Sequence, residues 1–593
     1  MRRLAVPVGL FLFAVLVGSA FRAETAAPAD AAAHVADFTL TDVLADKPVS
    51  LGDFKAKKAV VVAFIGTECP INNAYAPHLA ELAKAYADKG VQFLAVNSNC
   101  NDAPAAIAGH AKKYGLTFPV LRDAANVVAD RFGARRTPEV FVLDPNGHVV
   151  YRGRIDDQFG VGYKRDAPTR RDLAEALDEV LAGKPVSRPA TDPAGCFIAR
   201  AVKPKADGTI TFARDVSRVL QRNCQECHRP GQVGPMPLLT YEDALAWSDT
   251  LREVVEQKRM PPWLADPHFG KFQNDRSLSA EDRAMLLGWI DQGCPKGDPA
   301  DLPPTKEFAE GWSIGKPDQV FTMPDEFTVP ATADEKGLKY QYFIVRTKFA
   351  EDRWVRAAEA KPGNRAVVHH IIVYVVKPGK DGGFMRGKTE DGIGDGFLTA
   401  YAPGELASAL PDGSAKRVPK NSILVFQMHY TPNGVEQNDR SSVGLIFAKE
   451  PPKTEVRTRA VAQKRLNIPP GEANYEAKSE TVFDRDADLL SLLPHMHLRG
   501  KDFRYEVVYP DGRRETLLSV PRYDFNWQSN YRLEKPLHLP AGTRIECTAH
   551  YDNSKDNPNN PDPNKSVRWG DQTWDEMMIG FVDYTYSATP TPK

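Results

Sequence analysis

The rhythm of apolar and polar positions changes twice along the chain. Between about 35 and 185, apolar runs of strand length alternate with helical patterns. "AVVVAFIG" (59–66) is an unbroken apolar run, "NNAYAPHLAELAKAYADKG" (72–90) repeats apolar residues at helical spacing up to Gly90, and "VQFLAVNSN" (91–99) is a second buried strand. "TPEVFVLDPNGHVVYRG" (137–153) adds two strands around a Pro-Asn-Gly turn. These runs predict an α/β unit over 35–185. From 208 to 300 the period becomes helical. "YEDALAWSDTLREVVEQKRMPPW" reads as one amphipathic helix ended by two prolines, and "SAEDRAMLLGWIDQG" (279–293) as a closing helix stopped at Gly293. Beyond 320, many short β-branched and aromatic runs are broken by Gly, Pro, Asn and Asp, which predicts antiparallel β-sandwich structure over 320–455 and 456–590. The Pro-rich, polar "KPVSRPATDPAG" (184–195) predicts a linker over 186–207.

Length agrees with a multidomain reading, since 593 residues at about 150 per domain is roughly four domains. A net charge of −1 gives no electrostatic reason to expect nucleic acid or an anionic membrane as partner. At the start, Arg2 and Arg3 precede an apolar stretch from Leu4 to Val17, followed by Gly18, Ala20 and Ala23. That is the layout of a secretory signal over 1–23, too short for a typical membrane span. A periplasmic or secreted protein with no stable membrane span after signal removal is expected. Seven cysteines are too few for a disulfide-framed scaffold, and their number is odd, so they are expected to serve chemistry as much as stapling.

Cys69 falls between the first strand and the helix, where a helix N-terminus stabilises a thiolate. Thr137-Pro138 precedes a strand. With these features, residues 35–185 resemble the redoxin branch of the thioredoxin-like proteins, whose fold carries a cis-proline at such a place. The second cysteine of a dithiol motif is missing: Asn72 stands there. Gly66 stands where a peroxiredoxin has Thr or Ser. Two readings stand side by side, a one-cysteine redox centre at Cys69 resolved by Cys100, or a fold kept for docking.

Cys224-x-x-Cys227-His228 is the attachment signature of a covalent c-type haem. Residues 208–300 resemble a small, all-α cytochrome c domain, in which His228 is one axial ligand and Met260, in Met-Pro-Pro-Trp, resembles the other. Met236 and His268 compete with Met260. Thioether ligation raises a haem potential, which suits an electron relay.

Seven of the 13 histidines lie beyond residue 320. Five fall into three groups: His369 and His370 in "VVHHIIVYVV", His429 in "FQMHYTPNG", and His495 and His497 in "LLPHMHLRGKDF". In a strand, residues two apart point to one side, so His495 and His497 can share an ion, whereas adjacent His369 and His370 need a bulge to do so. Imidazole suits copper, and a thioether favours its reduced state. The order and spacing resemble the copper type II, ascorbate-dependent monooxygenases, the group of peptidylglycine α-hydroxylating and dopamine β-monooxygenases. That resemblance implies two β-sandwich subdomains with copper facing a cleft. One copper is held by His369, His370 and His429, the other by His495, His497 and Met577 of Asp575-Glu576-Met577. It implies dioxygen and a small organic substrate as reactants, with the catalytic step at His495, His497 and Met577. Leu493, Ile579 and Phe581 replace polar positions of the peptide-hydroxylating branch, so an apolar or aromatic C–H is expected to face the copper. Cys547 is expected to be a free thiol. His538 and His550 match no ligand position, although His550 can still reach the cleft. The rivals are an electron-transfer protein that only relays charge, with a redox partner, and a thiol antioxidant acting through Cys69.

Overall fold

The computed structural model describes residues 33–586 except 166, 202–203, 309–310, 334–337, 378–395, 406 and 408. The expected signal over 1–23 lies outside them.

The α/β expectation holds for the first unit. Its apolar run forms strand Ala59–Ile65, buried on both faces, which pairs in parallel with Val91–Asn97 and antiparallel with Glu139–Leu143. These strands are the middle of a seven-stranded sheet. Helix Pro70–Ala87 starts where the sequence allows it: Pro70 needs no N–H partner in the first turn, and Cys69 is the N-cap. Tyr75 and Leu79 on its inner face pack onto the sheet.

Residues 189–199 of the stretch 186–207, expected to be a linker, are instead built into the fold. The N–H of Arg152 donates to the Pro189 carbonyl, Cys196–Phe197 pairs antiparallel with Arg136–Thr137, and Ile198 is buried in the core of the α/β unit. Ala199 already belongs to the next core.

Between 208 and 300 the regular elements among the described residues are helical. The single expected helix over 241–263 is two, Tyr241–Ala246 and Ser248–Glu256, because Trp247 at the joint turns its side chain into the core and is 2% exposed. Helix Ala280–Asp291 is capped by Ser279, and Gly293 follows it at φ +79°, a turn that favours glycine. The segment after Trp263 leaves this unit and runs along the C-terminal sandwich. There Phe272 bridges Leu533, Gln273 donates to the Arg532 carbonyl, and Trp263 packs 4.8 Å from Tyr531.

The remainder is two antiparallel sandwiches. A five-stranded and a four-stranded sheet enclose the first core, and two four-stranded sheets enclose the second. Strand Val368–Val376 pairs with Ile423–Tyr430, placing His370 opposite His429, and the register shifts between Val368 and His370. That irregularity is the bulge that adjacent histidines require to serve one site. In the second sandwich, Ala487–His495 pairs with Ile579–Tyr586 and sets His495 opposite Ile579, two residues beyond Met577.

Candidate functional site

Cys69 is fully buried. The Asn72 N–H donates to its sulfur at 3.5 Å, the helix N-terminus at work, and its Sγ lies 2.9 Å from the Thr137 carbonyl. The nearest cysteine is not the expected Cys100, whose thiol donates to the Arg200 carbonyl at 3.3 Å. It is Cys196, whose N–H donates to Cys69 Sγ at 3.3 Å and whose thiol also bonds to it. Burial pushes the Cys69 thiol up, but the donors from Cys196 and Asn72 outweigh it and bring it down to about 6. The Cys196 thiol is held well above its usual range by its bond to Cys69 and by burial. Glu68, next in the chain, is pushed up to about 7 by burial and by Asp102.

At the Cys-x-x-Cys-His sequence, His228 is 8% exposed and its Nδ1 lies 3.0 Å from the Met236 carbonyl. Donation through Nδ1 leaves Nε2 as the free lone pair, the arrangement a haem ligand needs. The donor set fits a c-type haem: two free thiols, one oriented imidazole, and the half-buried Met260 packed on the same core as Cys224. Of the competing ligands, Met236 supplies the carbonyl that holds His228 and is buried in that core. His268 is 83% exposed and bonded to Asp266. Both observations favour Met260. With a haem held by these residues, Met260→Ala would lower its potential and remove any sulfur-to-iron absorption band, read by redox titration of the visible spectrum.

The five histidines converge. Nδ1 of His369 lies 3.2 Å from Nδ1 of His370 and 3.2 Å from Nδ1 of His429. Nitrogens at that separation match neighbouring corners of a tetrahedron around an ion about 2.0 Å from each. Ligand atoms of all three residues lie within 4.8 Å of one another. Burial favours their neutral form: His369 falls to about 4, and His370 and His429 fall well below the usual imidazole range. His497 falls to about 3 for the same reason. Its Nδ1 faces the Asp575 carbonyl at 3.2 Å, that of His495 faces Gln528 Oε1 at 2.6 Å, and both rings thereby keep Nε2 for another partner. Nε2 of His497 and Nε2 of His370 are buried without a hydrogen-bond partner. The orphaned Nε2 of His497 is the nitrogen that its Asp575 contact leaves for a ligand, and imidazole nitrogens suit copper.

Phe525 lies between the groups. Its ring stacks on His369 at 4.9 Å and stands 6.0 Å from both His429 and His497. A half-buried aromatic side chain thus stands between the two histidine groups, where the resemblance leads one to expect a cleft. Met577 is half-buried and held through its backbone: Tyr551 donates to its carbonyl at 2.8 Å, and the preceding Glu576 accepts N–H bonds from His497 and Arg499. His538 and His550 are away from the group, bonded to Asp488 and Asp502. Cys547 is a buried free thiol.

A cavity of about 390 Å³ between the sandwiches reaches Gln528, the partner of His495. Of the three expected apolar residues Leu493 lines it, whereas Ile579 and Phe581 do not; Phe397 joins Leu493, and Lys416, Glu405 and Arg532 line it too, so it is of mixed polarity rather than apolar. Lys416 is neutralised by Asp583 at 3.3 Å. Arg499 is absent from this cavity: its Nε donates to Asn553 and its Nη1 to the Trp574 carbonyl.

Residues 29–166 match the family described as Redoxin. The chain is similar to the thiol-disulfide oxidoreductase ResA of Bacillus thuringiensis subsp. konkukian, 33% identical over 114 residues, which are 19% of this chain and 64% of that protein. ResA of Halalkalibacterium halodurans is 30% identical over 122 residues, 21% of this chain and 67% of that protein. Among solved structures, a hypothetical protein from Sinorhizobium meliloti is 34% identical, covering 29% of this chain and 95% of its own at a TM-score of 0.27. The N-terminal unit is a redoxin domain. Thiol–disulfide relatives place this part of the chain among redox proteins. No helix among the described residues is long and apolar enough to cross a membrane.

Two residues of the redoxin and histidine sites escape sequence reasoning. Cys196 sits in a Pro-rich stretch after Gly195, and its only signal is that the cysteine count is odd. Phe525, in "RYDFNWQSN", carries no motif at all.

Proposed function

We propose that this chain is an exported redox enzyme, a monooxygenase that hydroxylates a C–H bond of a small organic substrate with one oxygen atom of dioxygen while two electrons and two protons carry the other to water, and that its residues would hold a c-type haem and two copper ions for this chemistry. The observation that carries this reading is the gathering of buried imidazoles: the rings of His369, His370, His429 and His497 all lie within 6.5 Å of Phe525, and that of His495 lies 5.2 Å from His497. His369, His370 and His429 would hold one copper; His495, His497 and Met577 would hold the other; Cys224, Cys227, His228 and Met260 would hold the haem. When bound, these groups supply single-electron storage and dioxygen activation. The chain's own residues do the orienting. The Asp575 carbonyl and the Gln528 amide fix which nitrogen His497 and His495 present, and Phe525 keeps water from the space between the groups. The haem as internal electron donor is supported by position. The Cys227 thiol feels the charges of Arg276 and Arg365, and Arg365 donates to the Tyr401 hydroxyl at 3.1 Å. Tyr401 is the strand partner of Ile371, next to His370.

Elemental analysis of the purified protein is expected to give two coppers and one haem iron per chain. Under isotopically heavy dioxygen, the reduced protein is expected to place one heavy oxygen atom in a product from a small-molecule extract. Met577→Ala is expected to keep both coppers and lose that incorporation. Copper-loaded protein that passes electrons to oxygen without labelling any product is instead an electron-transfer protein.

A second reading, thiol–disulfide chemistry at Cys69, is favoured by the lowered Cys69 thiol and by the likeness to ResA. The two readings assign different domains and are compatible.

A further inference from the structure

The redoxin domain lacks the second cysteine of a dithiol motif, yet a second sulfur stands against the first. We propose that Cys69 and Cys196 form a reversible dithiol–disulfide couple, with residues 195–199 lying in the redoxin groove as a built-in substrate strand. This inference needs neither haem nor copper and stands apart from the monooxygenase reading.

The position of Cys196 is fixed from both sides. Its strand pairs antiparallel with Thr137, immediately before Pro138, and its N–H donates to Cys69 Sγ. Gly195 has φ +148°, and a Cβ there would lie 2.0 Å from the Thr137 carbonyl, so only glycine allows so close an approach. On the other side, the Phe197 N–H donates to Thr250 Oγ1 at 3.3 Å, and the Phe197 ring lies under the Arg136 guanidinium at 4.1 Å. Ile198 is buried in the redoxin core, and the Ala199 N–H donates to Asn99 Oδ1 at 2.9 Å. A strand held this firmly presents one thiol to another by construction. The low Cys69 thiol supplies a nucleophile at neutral pH, and thiol–disulfide exchange proceeds through the thiolate.

Cys69 is covered by this strand, so exchange begins when the strand lifts. The Cys69 thiolate attacks one sulfur of an external disulfide RSSR. The RS–SR bond breaks, a Cys69–SR bond forms, and RS⁻ leaves and takes a proton from water. When the strand returns, Cys196 gives up its proton and attacks the Cys69 sulfur, expelling the second RS⁻. Two protein thiols are oxidised to one disulfide, and RSSR is reduced to two RSH. The reverse oxidises an external dithiol. Because Arg136 also bonds Glu253 of helix Ser248–Glu256 at 2.8 Å, the disulfide closes a joint between the redoxin and helical units.

The test is peptide mapping of the full-length protein, equilibrated in mixtures of reduced and oxidised glutathione, acid-quenched, unfolded and alkylated. The expected result is a Cys69–Cys196 linked peptide that forms and disappears reversibly with the glutathione ratio, while Cys100 stays alkylatable. In Cys196→Ser, Cys69 is expected to accumulate as a glutathione mixed disulfide; in Cys100→Ser, the Cys69–Cys196 link is expected to form unchanged. A Cys69–Cys100 link, or a glutathione adduct on Cys69 in the wild-type chain with no link to Cys196, overturns the proposal. The wild-type map decides the matter even if a variant fails to fold. As a second readout, thiolate absorbance of the reduced protein, less that of Cys69→Ser, is expected to titrate near pH 6 and to move upward in Cys196→Ala. An unmoved midpoint counts against the pair.

Discussion

Glu576→Ala lowers stability by about 3–5 kcal/mol, the cost of breaking a buried charge arrangement by removing one side. Glu576 is fully buried and accepts the N–H groups of His497 at 2.9 Å and Arg499 at 2.6 Å. Burial pushes its carboxyl up to about 7, against the pull of Arg499 and of those two N–H donors. Alanine would leave two buried backbone donors without an acceptor and remove one of the carboxyls, with Asp575 and Asp562, that face the 3%-exposed Arg499. Glu576→Gln keeps the shape and one acceptor, so its loss is smaller, about 1–3 kcal/mol. Urea unfolding followed by far-ultraviolet circular dichroism measures both. If the two variants lose the same amount, the carboxylate is not holding Arg499 and the segment before Met577 is fixed by something else. The expected loss is large beside a typical domain stability of about 5–15 kcal/mol.

On the proposed copper reading, added copper is expected to stabilise the protein, and His370→Ala is expected to remove the part of that gain that belongs to the three-histidine group. A ligand that binds only the folded state at a thousand times its dissociation constant adds about 4 kcal/mol. Nδ1 of His369 lies 3.2 Å from Nδ1 of both His370 and His429, and ligand atoms of the three lie within 4.8 Å of one another, so little reordering would oppose binding. His370 is 4% exposed with an orphaned Nε2, and removing its ring also removes that orphan. The metal-free variant is therefore expected to differ little from the metal-free parent, and the difference appears when copper is added. Differential scanning calorimetry with and without copper, with copper counted on the same samples, gives the answer. An equal copper-induced shift and equal copper content in parent and His370→Ala would rule out this group as a metal site.

The architecture was legible wherever local pattern decides structure. An apolar run such as 59–66 has one good solution, a strand buried on both faces, and it takes it. The adjacency of His369 and His370 demanded a bulge, and the register shift supplies one. What escaped was set by pairing across long separations. Nothing near Cys196 names Thr137 as its partner, because that register follows from how the redoxin sheet meets the helical unit. Trp247 breaks a helix that its neighbours favour because its ring is wanted in the core. Phe525 reaches the histidines only because two sandwiches bring separate strands together. The mixed lining of the cavity was hidden for the same reason: Lys416 and Arg532 come from different sandwiches.

The segment after Trp263 belongs to the helical unit in sequence and to the C-terminal sandwich in space. Trp263 and Phe272 pack on the sandwich core, and backbone bonds join Asp266 to Ser519 and Glu534 to Lys271. The helical unit and the sandwich more than 150 residues further on therefore melt as one cooperative block, and a cut in the 300–320 connection leaves two fragments that still travel together through gel filtration.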